Sequence, residues 1–266
     1  MNKNLFCLTF LLIFLCSPAF GQGSRLGISP VRVFISGQPG TTAGQEVWVF
    51  NKGNGTFLFE CEFSDYWYEM NEIKSAPIGT FQERQAAAWI QCNPNRFLVP
   101  GNRRQKIKVT AAIPKGLEGD HFAAFNAKML PPDNIKDEGN TKLNLAARIV
   151  APVVVTVLGT QKPKAEIFDA KISPKKRFQV FTAKVKNLGN VHLAGEGSLV
   201  LENNSATISS KTNIVLPFTF PGMTRNIEAT IIEKIPPGKY QAVLTIAPSQ
   251  RSGGTSLVSD FPVDVK

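Results

Sequence analysis

Asn51-Lys-Gly-Asn54 closes one apolar run of the chain, and Asn187-Leu-Gly-Asn190 closes another. A Pro-Gly pair follows each, Pro100-Gly101 in the first half and Pro221-Gly222 in the second. A further proline–glycine signal then precedes an aromatic residue: Pro114-Lys-Gly116 before Phe122, and Pro236-Pro-Gly238 before Tyr240. These residue types fix turns, and the runs between them are rich in β-formers. Turn signals at matched places in two halves predict two related β-domains in tandem. Such pairs usually bind rather than catalyse, so differences between the copies should mark the working half.

The runs support that reading. In the first half, 26–35 reads as one strand, followed by strands at 46–50, 57–68, 97–99, 106–113 and 122–130 and a long β-rich run over 143–158. Phe57, Phe59, Cys61 and Phe63 share one face by the period of two, and no segment of comparable length carries a 3.6-residue stripe. In the second half, strands are predicted at 178–186, 198–201, 227–232, 240–246 and 256–265. Short strands punctuated by turns predict an all-β chain of two immunoglobulin-like sandwiches. The expected division is a signal peptide over 1–21, a first domain over 22–158, a linker over 159–163 and a second domain over 164–266. Each half is long enough to bury its own core.

The first 21 residues carry Lys3, an apolar stretch from Leu5 to Cys16, and small residues at Ala19 and Gly21. That is the pattern of a cleaved secretory signal, too short to span a bilayer. Cys16 follows Leu15 rather than the small residue a lipid-anchoring site needs, so cleavage after Gly21 is expected. No other segment is long and apolar enough to cross as a helix. Loss of Lys3 leaves 29 basic against 20 acidic residues. That excess suits a basic exported protein and attracts acidic partners, among which nucleic acid is the weakest candidate. Cys61 and Cys92 are the two cysteines that remain, and an even pair in an exported chain reads as a disulfide. Closing that loop would stabilise the fold by about 3–4 kcal/mol on the chain-entropy estimate.

Catalytic signatures are missing. No GxSxG, HExxH, phosphate-binding glycine loop or CxxC occurs, and His121 and His192 are the only histidines. No enzyme activity, cofactor or metal is therefore expected. His121 as a general base lacks an evident nucleophile. Asp65 and Glu69 beside Tyr66-Trp-Tyr68 suggest a sugar site less well than a strand end with solvated carboxylates.

Taken in order, the motifs resemble the PapD-like periplasmic chaperones of pilus assembly. Ile28-Ser-Pro-Val-Arg-Val-Phe34 is similar to that family's first strand, with an arginine at Arg32. Phe122-Ala-Ala-Phe-Asn126, reaching Pro131-Pro132, is similar to a late strand of its first domain, and Asn187-Leu-Gly-Asn-Val-His192 to the opening of its second. The resemblance spans nearly the whole mature chain. It implies a periplasmic protein that binds pilin-like secreted subunits without ATP, with an outer-membrane usher as a further partner. It implies an interdomain salt bridge at Asp120, and β-augmentation of the client by a strand carrying Leu143, Leu145, Ala147 and Ile149 in alternation. Those four side chains suit their own core equally well. The polar 133–140 segment before them is expected to be mobile and to order on binding. Where the family has a second basic anchor for the client's carboxylate, this chain has Pro152, which lacks an N–H. Arg148 is the nearest substitute, on the opposite strand face, so the pair Arg32 and Arg148 is the anchor the sequence suggests. The alternative reading is a cell-envelope immunoglobulin-like protein for adhesion or peptidoglycan binding, and a third is a structural envelope subunit. Proteins of the second kind usually continue into a carboxyl-terminal anchor that is not seen after Val263-Asp-Val-Lys266, which weighs toward the chaperone.

Overall fold

Two asparagines do the same work in the two halves. The computed structural model describes residues 26–69, 72–81, 83–130, 147–203, 206–232, 234–248 and 256–265. Asn51 ends β3 (Thr42–Asn51) and is buried; its Nδ2 donates to the carbonyls of Gly55 at 2.6 Å and Val99 at 3.1 Å, while Oδ1 accepts from Gly53 N at 2.9 Å. Asn187 Nδ2 donates to Val191 O at 2.8 Å and Thr219 O at 3.0 Å, and its Oδ1 accepts from Gly189 N at 2.9 Å. Each side chain thus folds its own turn and ties it to the strand that runs into the Pro-Gly pair. The short amide saturates its donors and acceptor locally, as buried polar groups must. This shared device is the physical content of the sequence repeat.

The first half makes two sheets around one core. One has the order β1–β3–β8–β6, with β1 Leu26–Ser29, β6 Ile90–Asn93 and β8 Arg103–Ala112. The other runs β2–β10–β9–β4–β5, with β2 Val33–Gly37, β4 Phe57–Glu69, β5 Glu72–Ala76, β9 Gly119–Leu130 and β10 Ala147–Val157; β7 (Arg96–Val99) also pairs with β4. Val47, Val49 and Ile107 of one layer pack against Phe59, Phe125, Val153 and Val155 of the other in a single core. The single strand expected over 26–35 is two strands. Pro30-Val31-Arg32 carries the chain across the sandwich, so β1 pairs with β3 and β2 pairs parallel with β10. Both pieces point apolar residues inward, Ile28 then Val33 and Ile35, which is why one alternating pattern hid the crossing.

The second half forms one seven-stranded hydrogen-bonded path, β14–β13–β16–β17–β11–β12–β15, folded around a second core. Its strands are β11 Ala165–Pro174, β12 Gln179–Asn187, β13 Leu193–Asn203, β14 Ala206–Thr219, β15 Thr224–Ile231, β16 Gly238–Pro248 and β17 Leu257–Val265. β11 and β14 carry too many polar residues to be read as strands from sequence, and both were missed. A register shift between Phe168 and Lys171 lets β11 join β12 on one side and β17 on the other. Among the described residues the one helical element is a single 3-10 turn, Ala87–Trp89. No helix there is long and apolar enough to cross a membrane, and no group of three or more His, Cys, Asp or Glu side chains is placed to hold a metal. The expected signal peptide and the 133–140 segment lie outside the described residues.

Cys61 and Cys92 depart from the sequence reading: both are free thiols, not a disulfide. They sit on facing layers, and the Cys92 thiol donates to the Cys61 carbonyl at 3.8 Å. The hydrogen bond with Cys92, and then burial, push the Cys61 thiol up, so it stays protonated and unreactive.

His121 is buried against Trp89, ring centroids 4.7 Å apart, and neither ring nitrogen has a hydrogen-bond partner of ordinary geometry. It is a buried polar residue packed against an aromatic ring. Burial first, and the Arg84 charge second, push its pKa down to about 4. The unfolded chain therefore takes up this proton first. Its neutral-state stability is complete above about pH 6.5 and falls as pH drops toward 4, by at most about 3 kcal/mol. His121→Leu should flatten the dependence of the urea midpoint on pH across that window. An unchanged slope in the variant would place the acid sensitivity elsewhere.

Candidate functional site: the cleft between the sandwiches

Asp120, second residue of β9, points to the face away from the first core, and it is fully buried. Its Oδ1 accepts the Thr156 hydroxyl at 2.6 Å, and its Oδ2 accepts the His192 backbone N–H at 2.7 Å and lies 2.5 Å from His192 Nδ1. Neighbouring backbone completes the junction: Asp120 N donates to Asn190 O at 2.9 Å, and Arg84 Nη1 reaches the same oxygen at 3.1 Å. Gly119 has φ +73°, and a side chain there would strike Asn190 O. The Asn-Leu-Gly-Asn-Val-His stretch thus serves two ends. Asn187 shapes its turn, and Asn190 and His192 present polar atoms to the first sandwich.

Beside this polar hub the sandwiches share a small apolar core. Phe122, Tyr66, Ala124 and Val154 from the first half meet Phe220 of the second, with Phe34, Val150, Phe218 and Met223 around them. Phe122 meets Phe220 edge-on at 4.4 Å, and Phe218 stacks on His192 at 4.5 Å. Such pairs contribute about 0.5–1.5 kcal/mol each beyond their buried area. β9 is therefore covered on both faces, one by the first core and one by the second sandwich. That explains why Phe122-Ala-Ala-Phe-Asn126 shows no alternation. Asp65 and Tyr66 are engaged within the fold. The Asp65 carboxylate holds the backbone N–H groups of Gly79 and Phe81 at 2.8 and 3.1 Å, and Tyr66 is buried in the junction.

Arg32 stands at the mouth of this cleft, with its guanidinium 4.2 Å over the Phe218 ring. Its Nε is buried without a hydrogen-bond partner, and burial pulls its pKa below the ordinary value while Tyr66 opposes. No carboxylate among the described residues pairs with it.

The open lane lies next to Arg32. β10 pairs with β9 over its full length, Ala147–Val157, but with β2 only over Val153–Val157. Among the described residues nothing pairs with the other edge of 147–152. Ala147 and Ile149 turn toward the first core and are half-buried at its rim; Leu143 and Leu145 lie outside the described residues. Arg148 is exposed on the opposite face. Pro152 precedes the residue paired with Val33, so Arg32 adjoins Pro152 and stands about 13 Å along the strand from Arg148 at the usual rise. The two arginines are not side by side.

Removing the Asp120 carboxylate strands His192 N–H and the Thr156 hydroxyl in a buried junction. Asp120→Ala should cost about 3–5 kcal/mol in chemical denaturation. Lys106→Ala, which breaks an exposed pair with Glu46 at 3.0 Å, should cost under about 1 kcal/mol. Equal losses in the two variants would deny the hub its role.

No protein-family model matches the chain, and no curated protein matches it. Among solved structures, the Class 5 fimbriae chaperone CfaA is 14% identical, with a TM-score of 0.50 over 88% of this chain and 98% of that one. A chaperone–tip adhesin complex of CFA/I fimbriae biogenesis gives 12% identity and a TM-score of 0.49 over 88% and 97%. The E. coli chaperone DraB gives 15% identity and 0.46 over 89% and 96%. The likeness to CfaA is one of fold: this chain has the two-sandwich architecture of the PapD-like fimbrial chaperones.

Proposed function

We propose that the chain is a periplasmic chaperone, exported by removal of residues 1–21, that binds secreted pilin-like subunits by β-strand addition without ATP. In this reading 22–158 is the binding domain, 159–163 the linker and 164–266 the second wall of the cleft. The observation that carries it is the half-open β10. A strand at a sheet edge presents unpaired N–H and C=O groups, and an extended client segment satisfies them by joining the sheet.

Geometry also suggests the polarity. The vacant lane beside 147–152 is the lane that β2 occupies further on, and β2 runs parallel to β10. A client strand running parallel to β10 in that lane ends against Arg32, at the point where β2 begins. Its terminal carboxylate then meets a half-buried guanidinium that lacks a carboxylate partner, and a charge-assisted, bidentate pair forms. Ala147 and Ile149 cap the client's apolar groove from the rim of the chaperone core, with Leu143 and Leu145 continuing the series. Arg148, further along and outward, adds a second cation to the client's flank and does not share the terminal carboxylate.

The test is co-purification from periplasm with a small β-rich secreted subunit encoded beside an usher-type barrel. Arg32→Ala should reduce recovery of the complex about tenfold or more, the scale of one lost charge-assisted contact. Arg148→Ala should weaken it less. Undiminished recovery with Arg32→Ala would remove the anchor, and a monomer that instead pellets with purified peptidoglycan would favour an envelope-binding role.

A further inference from the structure

A second candidate site lies on the far side of the first sandwich, on the outer face of β1–β3–β8–β6. The register sets Gly27 beside Phe50 and Phe50 beside Arg104, and then Ser29 beside Trp48 and Trp48 beside Lys106. Gly27 matters because it lacks a side chain: an added Cβ would overlap the Phe50 ring, which lies across β1. Both aromatic rings are half-buried and each carries a cation. The Arg104 guanidinium is 4.2 Å from the Trp48 centroid, and Lys52 Nζ is 5.3 Å from that of Phe50. With Arg103 they line a cleft of about 710 Å³, a volume in the range of ligand sites.

No carboxylate lines this cleft, and among the described residues no ion pair joins Lys52, Arg103 or Arg104. The second sandwich shows the contrast. There Lys184 also sits over an aromatic ring, Phe168, at 5.7 Å, but Asp169 closes it at 2.7 Å, and Glu228 lines the same hollow. On the first-sandwich shelf Lys106, 5.9 Å over Trp48, is closed by Glu46 at 3.0 Å, whereas Lys52, Arg103 and Arg104 have no carboxylate partner among the described residues.

We infer that this shelf binds an acidic peptide segment of a partner protein, through carboxylates set against Lys52, Arg103 and Arg104. A guanidinium stacked on an indole is already ordered and keeps its N–H edge free, the geometry that takes a carboxylate in two parallel bonds. A saccharide or a nucleobase would need an open aromatic face for stacking, and here Arg104 and Lys52 occupy the faces of Trp48 and Phe50. The excess of basic residues over the whole chain steers an acidic segment toward the shelf.

The test is calorimetric titration of the full chain with an oligo-glutamate peptide, with oligo-lysine as control and polygalacturonate as a competing polyanion. The peptide should bind, should weaken with added salt, and should lose more than about tenfold in affinity in the double variant R103E/R104E. Lys184→Ala, and amidation of the peptide's carboxyl terminus, should leave it unchanged, which separates this site from the cleft. Absence of binding, equal binding by R103E/R104E, or binding to polygalacturonate as tight as to the peptide would each overturn the assignment.

Discussion

The crossing at Pro30-Val31-Arg32 is the constraint on which the rest depends. One strand would have closed one sheet. By leaving β3 after Ser29 and joining β10 at Val33, the chain binds both layers of the first sandwich to each other. The five residues of β2 cover only the last part of an eleven-residue β10. A sheet with a partly covered edge strand carries a row of unmet hydrogen-bonding groups, which natural proteins usually blunt. Among the described residues the gap ends at a half-buried arginine, so the edge has a charged stop at that end. The edge thereby acquires a direction.

The second sandwich gives that edge its setting. Asp120 collects a hydroxyl, a backbone N–H and an imidazole, and two of those three come from the opposite half. Phe220 fills the apolar space beside it. Together they cover the outer face of β9 and bring Phe218 under Arg32. The cation is thus held by the domain that does not contain it. Loosening the junction would blur the position of Arg32 as well as lower stability.

Much of the fold was legible because its punctuation is local chemistry. Asn51 and Asn187 fold their turns with their own amide groups, so a motif of four residues marks the same structural event twice. The crossing was not legible, since alternation continues through it and the change of sheet leaves no trace in period. β11 and β14 escaped because their runs mix polar and apolar residues without a clean period of two. The partners of Asp120 lie 36 and 72 residues away, a distance over which sequence carries no geometry. Cys61 and Cys92 were read as a disulfide from their even number alone; they lie on facing layers as free thiols, because a cysteine count carries no geometry.

The most direct measurement is hydrogen exchange along β10, read residue by residue with and without a bound subunit. The open-lane account predicts that amides of 147–152 pointing away from β9 exchange fast in the free chain. Those of Val153–Val157 should be protected by β2, and the fast set should become protected in the complex. Uniform protection of 147–152 in the free chain, or no change on complex formation, would contradict strand addition at this edge.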